Sequence, residues 1–133
     1  MSRENVEIVR GVMQGVENRR DWDQLEALAD EIVYRPIAEI TDAGEYRGRD
    51  AVRRYMEGFF NEVWDEIKIS HASYREVADK VITRIEFVGR GHASAMETGA
   101  RVFSVFTLRD GQIVRWEDFT SRADALEAAG LRE

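Results

Sequence analysis

Cysteine is absent from the 133 residues, and only one proline and two histidines occur. A chain without cysteine has no disulfide framework, no thiol nucleophile and no thiolate metal site, a composition that suits a cytoplasmic protein. The histidines, His71 in "ISHASY" and His92 in "GRGHASAMETG", lack the H-x-x-x-H spacing of a helical metal site, so no metal is expected. Basic charge is scarce as well: 19 Lys and Arg stand against 26 Asp and Glu, for a net charge of −7. With no basic stripe to displace counterions from a phosphate backbone, no nucleic-acid partner is expected. No apolar run approaches a membrane span, and the opening "MSRENVEIVRGVM" is charged from its third residue, unlike a signal peptide. Glycine-rich phosphate cradles are missing too. "GEYRGRD" has neither the P-loop lysine context nor dinucleotide spacing, and no cofactor is expected.

What is present is 44% hydrophobic and 34% charged residues, the balance of a globular protein, and the length suits a single domain over 1–133 with a real core. Ser2 opens an amphipathic helix in which Val6, Val9, Val12, Met13 and Val16 recur at helical spacing. Asp21 is expected to start a second short helix, "DWDQLEALAD", with Trp22, Leu25 and Leu28 on one face. "EIVYRPIAEI" reads as a strand as far as Pro36, which cannot donate to a sheet ladder. After the turn-rich "TDAGEYRGR", Asp50 is expected to cap a third helix carrying Val52, Tyr55, Met56, Phe59, Phe60 and Val63 as an apolar stripe.

From Ile67 the period changes to two. "IKISHASYREV", "KVITRIEFVGRG", "TGARVFSVFTLR" and "QIVRWEDF" predict four strands in an antiparallel sheet, the last pair joined by an Asp-Gly turn. A final helix, "RADALEAAG", is capped by Ser121 and ended by Gly130. Helices followed by strands predict an α+β domain with the helices on one face of the sheet. If that sheet is strongly curved, its concave face forms a cavity, the kind of place where ligands bind.

Taken together, "MSRENVEIVRGVM", "DAGEYRGRDAVRRYM", "FTLRDGQIVRWEDF" and "SRADALEAAGL" resemble the SnoaL-like branch of the nuclear transport factor two superfamily over nearly the whole chain. The resemblance implies a cone-shaped α+β fold, with a curved sheet wrapped around N-terminal helices, a pocket at the wide end and frequent dimerisation through the sheet. It places Asp118 at the acid–base aspartate of the polyketide cyclases and Ser104 where their histidine partner stands. That departure matters, because serine does not titrate near neutral pH. The ketosteroid isomerase pattern is absent. Its base falls near Arg35, its buried acid near Ser104 and its first-helix tyrosine near Met13, which argues against steroid isomerisation.

Strict alternation in "QIVRWEDF" puts Val114, Trp116 and Asp118 on one face and Ile113, Arg115, Glu117 and Phe119 on the other. Two readings of Asp118 stand open. In one, burial beside Trp116 raises its pKa and it exchanges a proton with substrate. In the other, Arg35 faces the same cavity and holds it ionised as half of an ion pair. The candidate site is therefore Asp118 and Arg35 as catalytic groups, with Ser104, Trp116, Tyr55 and Phe59 contacting the ligand. His71 and His92 are read as packed or surface residues, and Arg84 and Glu86 as a polar pair on the outward face of their strand. The expected activity is a cofactor-independent isomerase, cyclase or hydrolase acting on an apolar cyclic or polyketide-like molecule. The alternative is a non-catalytic pocket for a hydrophobic ligand, or a dimerisation module using an outward sheet face with Phe103, Val105, Ile113 and Phe119.

Overall fold

The computed structural model of the protein describes residues 2–18, 22–37, 44–59, 64–91 and 97–131. Helix α1 (Ser2–Asn18) leads through a 3-10 segment (Trp22–Ala27) into β1 (Leu28–Arg35) and the short β2 (Tyr46–Arg47). Helix α2 (Arg49–Gly58) precedes the strands β3 (Trp64–Val77), β4 (Lys80–Gly91), β5 (Glu97–Arg109) and β6 (Gln112–Phe119), and α3 (Arg122–Ala128) ends the chain. The predicted late strands are all present. In the Asp110-Gly111 turn both residues have positive φ, 52° and 80°, as a tight hairpin of matching twist requires.

The six strands form one sheet in the order β2-β1-β6-β5-β4-β3. Every described pairing is antiparallel except β1 with β6, which is parallel. Parallel neighbours need a long connection rather than a hairpin, and here β2, α2 and β3 to β5 all lie between β1 and β6. Register shifts interrupt β1–β6, β3–β4 and β5–β6. Each bulge bends its strand and adds twist, so together they curve the sheet.

Inside the curve, Val9 and Val12 of α1 and Val52 and Met56 of α2 pack with Val81 and Phe106 of the sheet, all essentially inaccessible. Helix α3 does not join them. Its Ala125 and Leu126 cover Ile82, Phe103 and Val105 on the opposite face. The helices therefore lie on both faces, because the alternation of β5 makes both of its faces apolar: Val102 and Phe106 point inward, Phe103 and Val105 outward.

Several local expectations need correction. The segment after Asp21 forms a 3-10 turn that yields to β1 at Leu28, whose side chain still enters the core beside Leu25. The cap of α2 is Gly48 rather than Asp50, which lies in the first turn. Gly48 takes φ 93° and ψ 147° while its N–H reaches the Ile32 carbonyl at 2.8 Å, and a non-glycine residue is strained there. In β6 the bulge falls at Val114: Thr107 pairs with Arg115 but Leu108 with Ile113. Ile113 consequently turns inward with Trp116 and is fully buried, so strict alternation misplaced it. The proposed dimer patch changes accordingly, since Ile113 is inside and Phe103, Val105 and Phe119 pack around α3. Phe60, Val63 and His92 lie outside the described residues, as do the side chains of Trp22, Trp64 and His71.

Candidate active site

Between the helices and the inner sheet face lies a chamber with about 90 Å³ open to the centres of water molecules. Met13 and Val16 of α1 and Tyr55, Met56 and Phe59 of α2 close it on one side. Ile69, Ile85, Phe87 and Val102 of the sheet form the other, with Tyr34, Ser104, Trp116 and Asp118 at one end. Among the described residues its lining is apolar and aromatic apart from three hydroxyls, an indole N–H and one carboxylate.

That carboxylate is Asp118, and the strand register explains its surroundings. Asp118 sits directly opposite Ser104 on β5, and parallel pairing sets Tyr34 of β1 opposite Trp116. Ser104 Oγ donates to Asp118 Oδ1 at 2.5 Å, Trp116 Nε1 donates to the same oxygen at 3.0 Å, and the Tyr34 hydroxyl donates to Oδ2 at 2.6 Å. An ionised carboxylate accepts about four hydrogen bonds, so one acceptor position remains, on Oδ2. Burial pushes the Asp118 carboxyl up from 3.8 to about 6, against the opposing pull of the hydrogen bonds from Ser104, Tyr34 and Trp116. Asp118 keeps a partly accessible surface, bordering both the chamber and an outer cleft.

Around it the aromatic rings form a continuous array. Tyr34 lies 4.7 Å from Trp116 and 5.7 Å from Tyr55, centroid to centroid, and Tyr55 stacks on Phe59 one helical turn later at 5.9 Å. Burial drives the Tyr34 hydroxyl well above its usual range, with the Asp118 charge adding to the effect. Burial likewise raises Tyr55 to about 12, helped by Tyr46 and Asp118. Both therefore remain protonated donors near neutral pH. The Tyr55 hydroxyl makes no hydrogen bond among the described residues, so its donor is free to meet a ligand.

Five of the sequence-derived candidates converge: Asp118, Ser104, Trp116, Tyr55 and Phe59 all line the chamber. Arg35 does not enter it. Its side chain is 48% exposed and approaches Glu45 at 3.5 Å and Glu117 at 4.0 Å, and Asp118 forms no ion pair among the described residues. The reason is the two-residue period of β1: with Ile32 and Tyr34 turned inward, Arg35 must turn outward, beside Glu117 in the parallel register. Arg35 instead borders a shallow outer cleft with Glu45, Phe119 and Asp124, which also reaches Asp118. Tyr34 belongs to the aromatic supply that the sequence offers around the pocket, but its bond to Asp118 is not foreseeable from it. Its shared parity with Ile32 was the available signal, but the pairing with β6 depends on a parallel ladder that no short-range pattern reveals. Arg84 is exposed on the outward face as expected, where Glu86 pairs with Arg101 at 2.6 Å.

A curved α+β sheet enclosing an apolar chamber with one acid at its end defines a small-molecule pocket protein. A sequence profile of the SnoaL-like domain matches residues 9–116, and the chain belongs to that family. Among solved structures, a provisionally named SnoaL-like polyketide cyclase from a Jannaschia species superposes with a TM-score of 0.79 at 17% identity, covering 100% of this chain and 96% of that one. A nuclear transport factor two-like protein of unknown function from Burkholderia pseudomallei gives 0.77 at 18% identity, over 96% and 97% of the two chains. An epoxide hydrolase from M. tuberculosis gives 0.70 at 21%, over 96% and 90%. No curated protein matches the sequence significantly. At these identities the likeness establishes the fold, and the chemistry must come from the site. Among the described residues no helix is long and apolar enough to cross a membrane, and no three acidic or histidine side chains are grouped to hold a metal ion.

Proposed function

We propose that the protein is a cofactor-independent acid–base enzyme acting on a compact, largely apolar molecule, with Asp118 Oδ2 as the atom that takes and returns the proton. The observation that carries this reading is a chamber carboxylate titrating near pH 6 with one acceptor position unfilled. A base is most effective when its pKa lies close to the working pH. Tyr34, Ser104 and Trp116 fix the carboxylate's orientation, so little reorganisation accompanies proton transfer. Tyr55 donates to an oxygen of the substrate, while Phe59 and Trp116 provide flat apolar contact. Arg35 has no part in this step.

The test is hydron exchange: apolar cyclic ketones incubated with the protein in deuterium oxide are followed by NMR for loss of C–H signal. Wild type is expected to accelerate exchange for at least one of them, and Asp118→Asn to return that rate to background. Equal rates for the two proteins would remove Asp118 from the chemistry. Binding without turnover is the second reading, favoured by one feature: no other group beside Asp118 titrates near neutrality, since Tyr34 and Tyr55 are both pushed upward. Exchange absent in a protein that still binds the ketone would establish it.

Two further proposals concern setting. The protein is placed in the cytoplasm on its lack of cysteine. A homodimer would use the part of the sheet that α3 leaves open, around Val88, the exposed large apolar side chain among the described residues. Sedimentation as a monomer at high micromolar concentration would defeat the dimer.

A further inference from the structure

The electrostatics of the chamber are one-sided. Among the described residues its lining carries a single acidic side chain and no lysine, arginine or histidine, and the donors on Asp118 are neutral hydroxyl and indole groups. An ionised carboxylate in such a place has its hydrogen bonds but lacks a counter-charge, which is the costly half of a buried ion pair. Tyr34, Tyr55, Phe59, Phe87 and Trp116 contribute aromatic surface among otherwise aliphatic and thioether walls, and the faces of aromatic rings attract cations. The outer cleft continues the pattern. Glu45 and Asp124 border it, and Arg35, its cation, is already shared between Glu45 and Glu117. On a chain of net charge −7, this arrangement draws cations toward the chamber and disfavours anions.

We propose that the ligand of this chamber carries a positively charged nitrogen, as a protonated amine or a quaternary ammonium, and seats it against Asp118 and the aromatic walls. The inference rests on the chamber being the binding site and deepens that reading by naming the ligand's charge. The ligand completes the ion pair that the protein leaves half made. A small substituted ammonium suits both the limited room and the apolar walls, because it spreads its charge over methyl groups and sheds water readily.

The experiment uses two molecules of nearly the same shape, choline and 3,3-dimethylbutan-1-ol, which differ in exchanging N⁺ for carbon. Each is titrated into the protein above neutral pH, with affinities and binding position read from amide and aromatic NMR shifts. Choline is expected to bind about tenfold or more tightly than the alcohol. Asp118→Asn should remove the preference of choline over the alcohol, and Phe59→Leu should weaken choline several-fold by thinning the aromatic wall. If Asp118→Asn does not fold, the wild-type ratio with Phe59→Leu decides the matter. Equal binding of the two, tighter binding of the alcohol, or a choline preference that survives both substitutions would overturn the inference. Where the alcohol shifts chamber resonances and choline has no advantage, the chamber stands as the binding site and only the cation falls. If neither molecule shifts them, both readings fall.

Discussion

Tyr34 and Asp118 stand 84 positions apart in the chain, and the Tyr34 hydroxyl donates a 2.6 Å hydrogen bond to Asp118 Oδ2. The contact exists because β1 runs parallel to β6 with Tyr34 opposite Trp116. It stabilises the charged carboxylate and so opposes the upward push of burial. Tyr34→Phe keeps the ring contacts and deletes the donor, and a hydrogen bond to a charged group is worth roughly 1.5–3 kcal/mol. Asp118 is therefore expected to titrate about one to two pH units higher in Tyr34→Phe, as followed by carboxyl-carbon NMR. An unchanged titration would mean that Tyr34 bonds the acid and the carboxylate forms equally.

The same carboxyl makes stability depend on pH in a direction opposite to that of an ion-paired aspartate. Burial raises Asp118 to about 6 from 3.8. Between these values the folded chain keeps a proton that the unfolded chain has released. The stabilisation is therefore complete below about pH 4 and is lost as pH rises through 6, a change on the order of 3 kcal/mol. Asparagine has no such titration. The melting temperature of Asp118→Asn minus that of wild type is expected to climb from pH 4 to about 6.5 and then level off, with its absolute offset set by how the amide suits the three donors. A difference that stays flat over this range would show an aspartate titrating at its ordinary value.

Tyr55 contributes little to the fold through its hydroxyl, which has no hydrogen-bond partner among the described residues. Tyr55→Phe should leave the unfolding free energy from urea denaturation within about 0.5 kcal/mol of wild type, because the ring contacts with Tyr34, Tyr46 and Phe59 persist. If that hydroxyl donates to a substrate oxygen on which charge develops, the same substitution lowers kcat by roughly 10²-fold or more with a smaller change in KM. An unaltered kcat would assign Tyr55 to packing alone.

Gly48 offers a test of the junction between β2 and α2. A Cβ there would find space, its nearest neighbour being the Asp30 carbonyl oxygen at 3.8 Å, so strain rather than collision opposes a side chain. With φ 93° and ψ 147°, Gly48→Ala is expected to cost about 1–3 kcal/mol in chemical denaturation. Since Gly48 directly follows β2, whose Tyr46 pairs with Tyr34 of β1, the loss should extend to the binding of chamber ligands. Wild-type stability in Gly48→Ala would show that the turn relaxes freely.

Much of this was legible in the sequence, and the exceptions share a cause. Period and turn chemistry sufficed for α1 and for β3 to β6, because those signals are local: Val9, Val12 and Val16 repeat at helical spacing, and Asp110-Gly111 specifies a hairpin. Alternation in the last strand alone put Asp118 beside Trp116, whereas Ser104 entered only through the resemblance to the polyketide cyclases. The positions of Ile113 and Arg35, and the bond from Tyr34 to the acid, depend on long-range register. The bulge at Val114 reverses the parity of Ile113, and the parallel β1–β6 ladder decides that Tyr34, not Arg35, meets the acid. Helix α3 gave no local sign of its face, since Ala125 and Leu126 would serve on either side of a sheet.

Thr83 tests how closely the inner face is specified. It is fully buried, it pairs in register with Ser104, and its Oγ1 lacks a hydrogen-bond partner among the described residues. A buried hydroxyl without a partner costs about 1–3 kcal/mol, whereas its valine isostere replaces the hydroxyl by a methyl group of similar size. Thr83→Val is therefore expected to raise stability by about 1 kcal/mol, and Thr83→Ser, which keeps the hydroxyl and deletes the methyl group, to lower it by a similar amount. Denaturant midpoints for the pair separate packing from polarity. If Thr83→Val is instead destabilised, the hydroxyl is satisfied by a buried water, and the row Thr83, Ser104 and Asp118 becomes a hydrated polar seam across β4, β5 and β6. In that case the valine variant should also move the titration of Asp118, which the carboxyl NMR experiment would read directly.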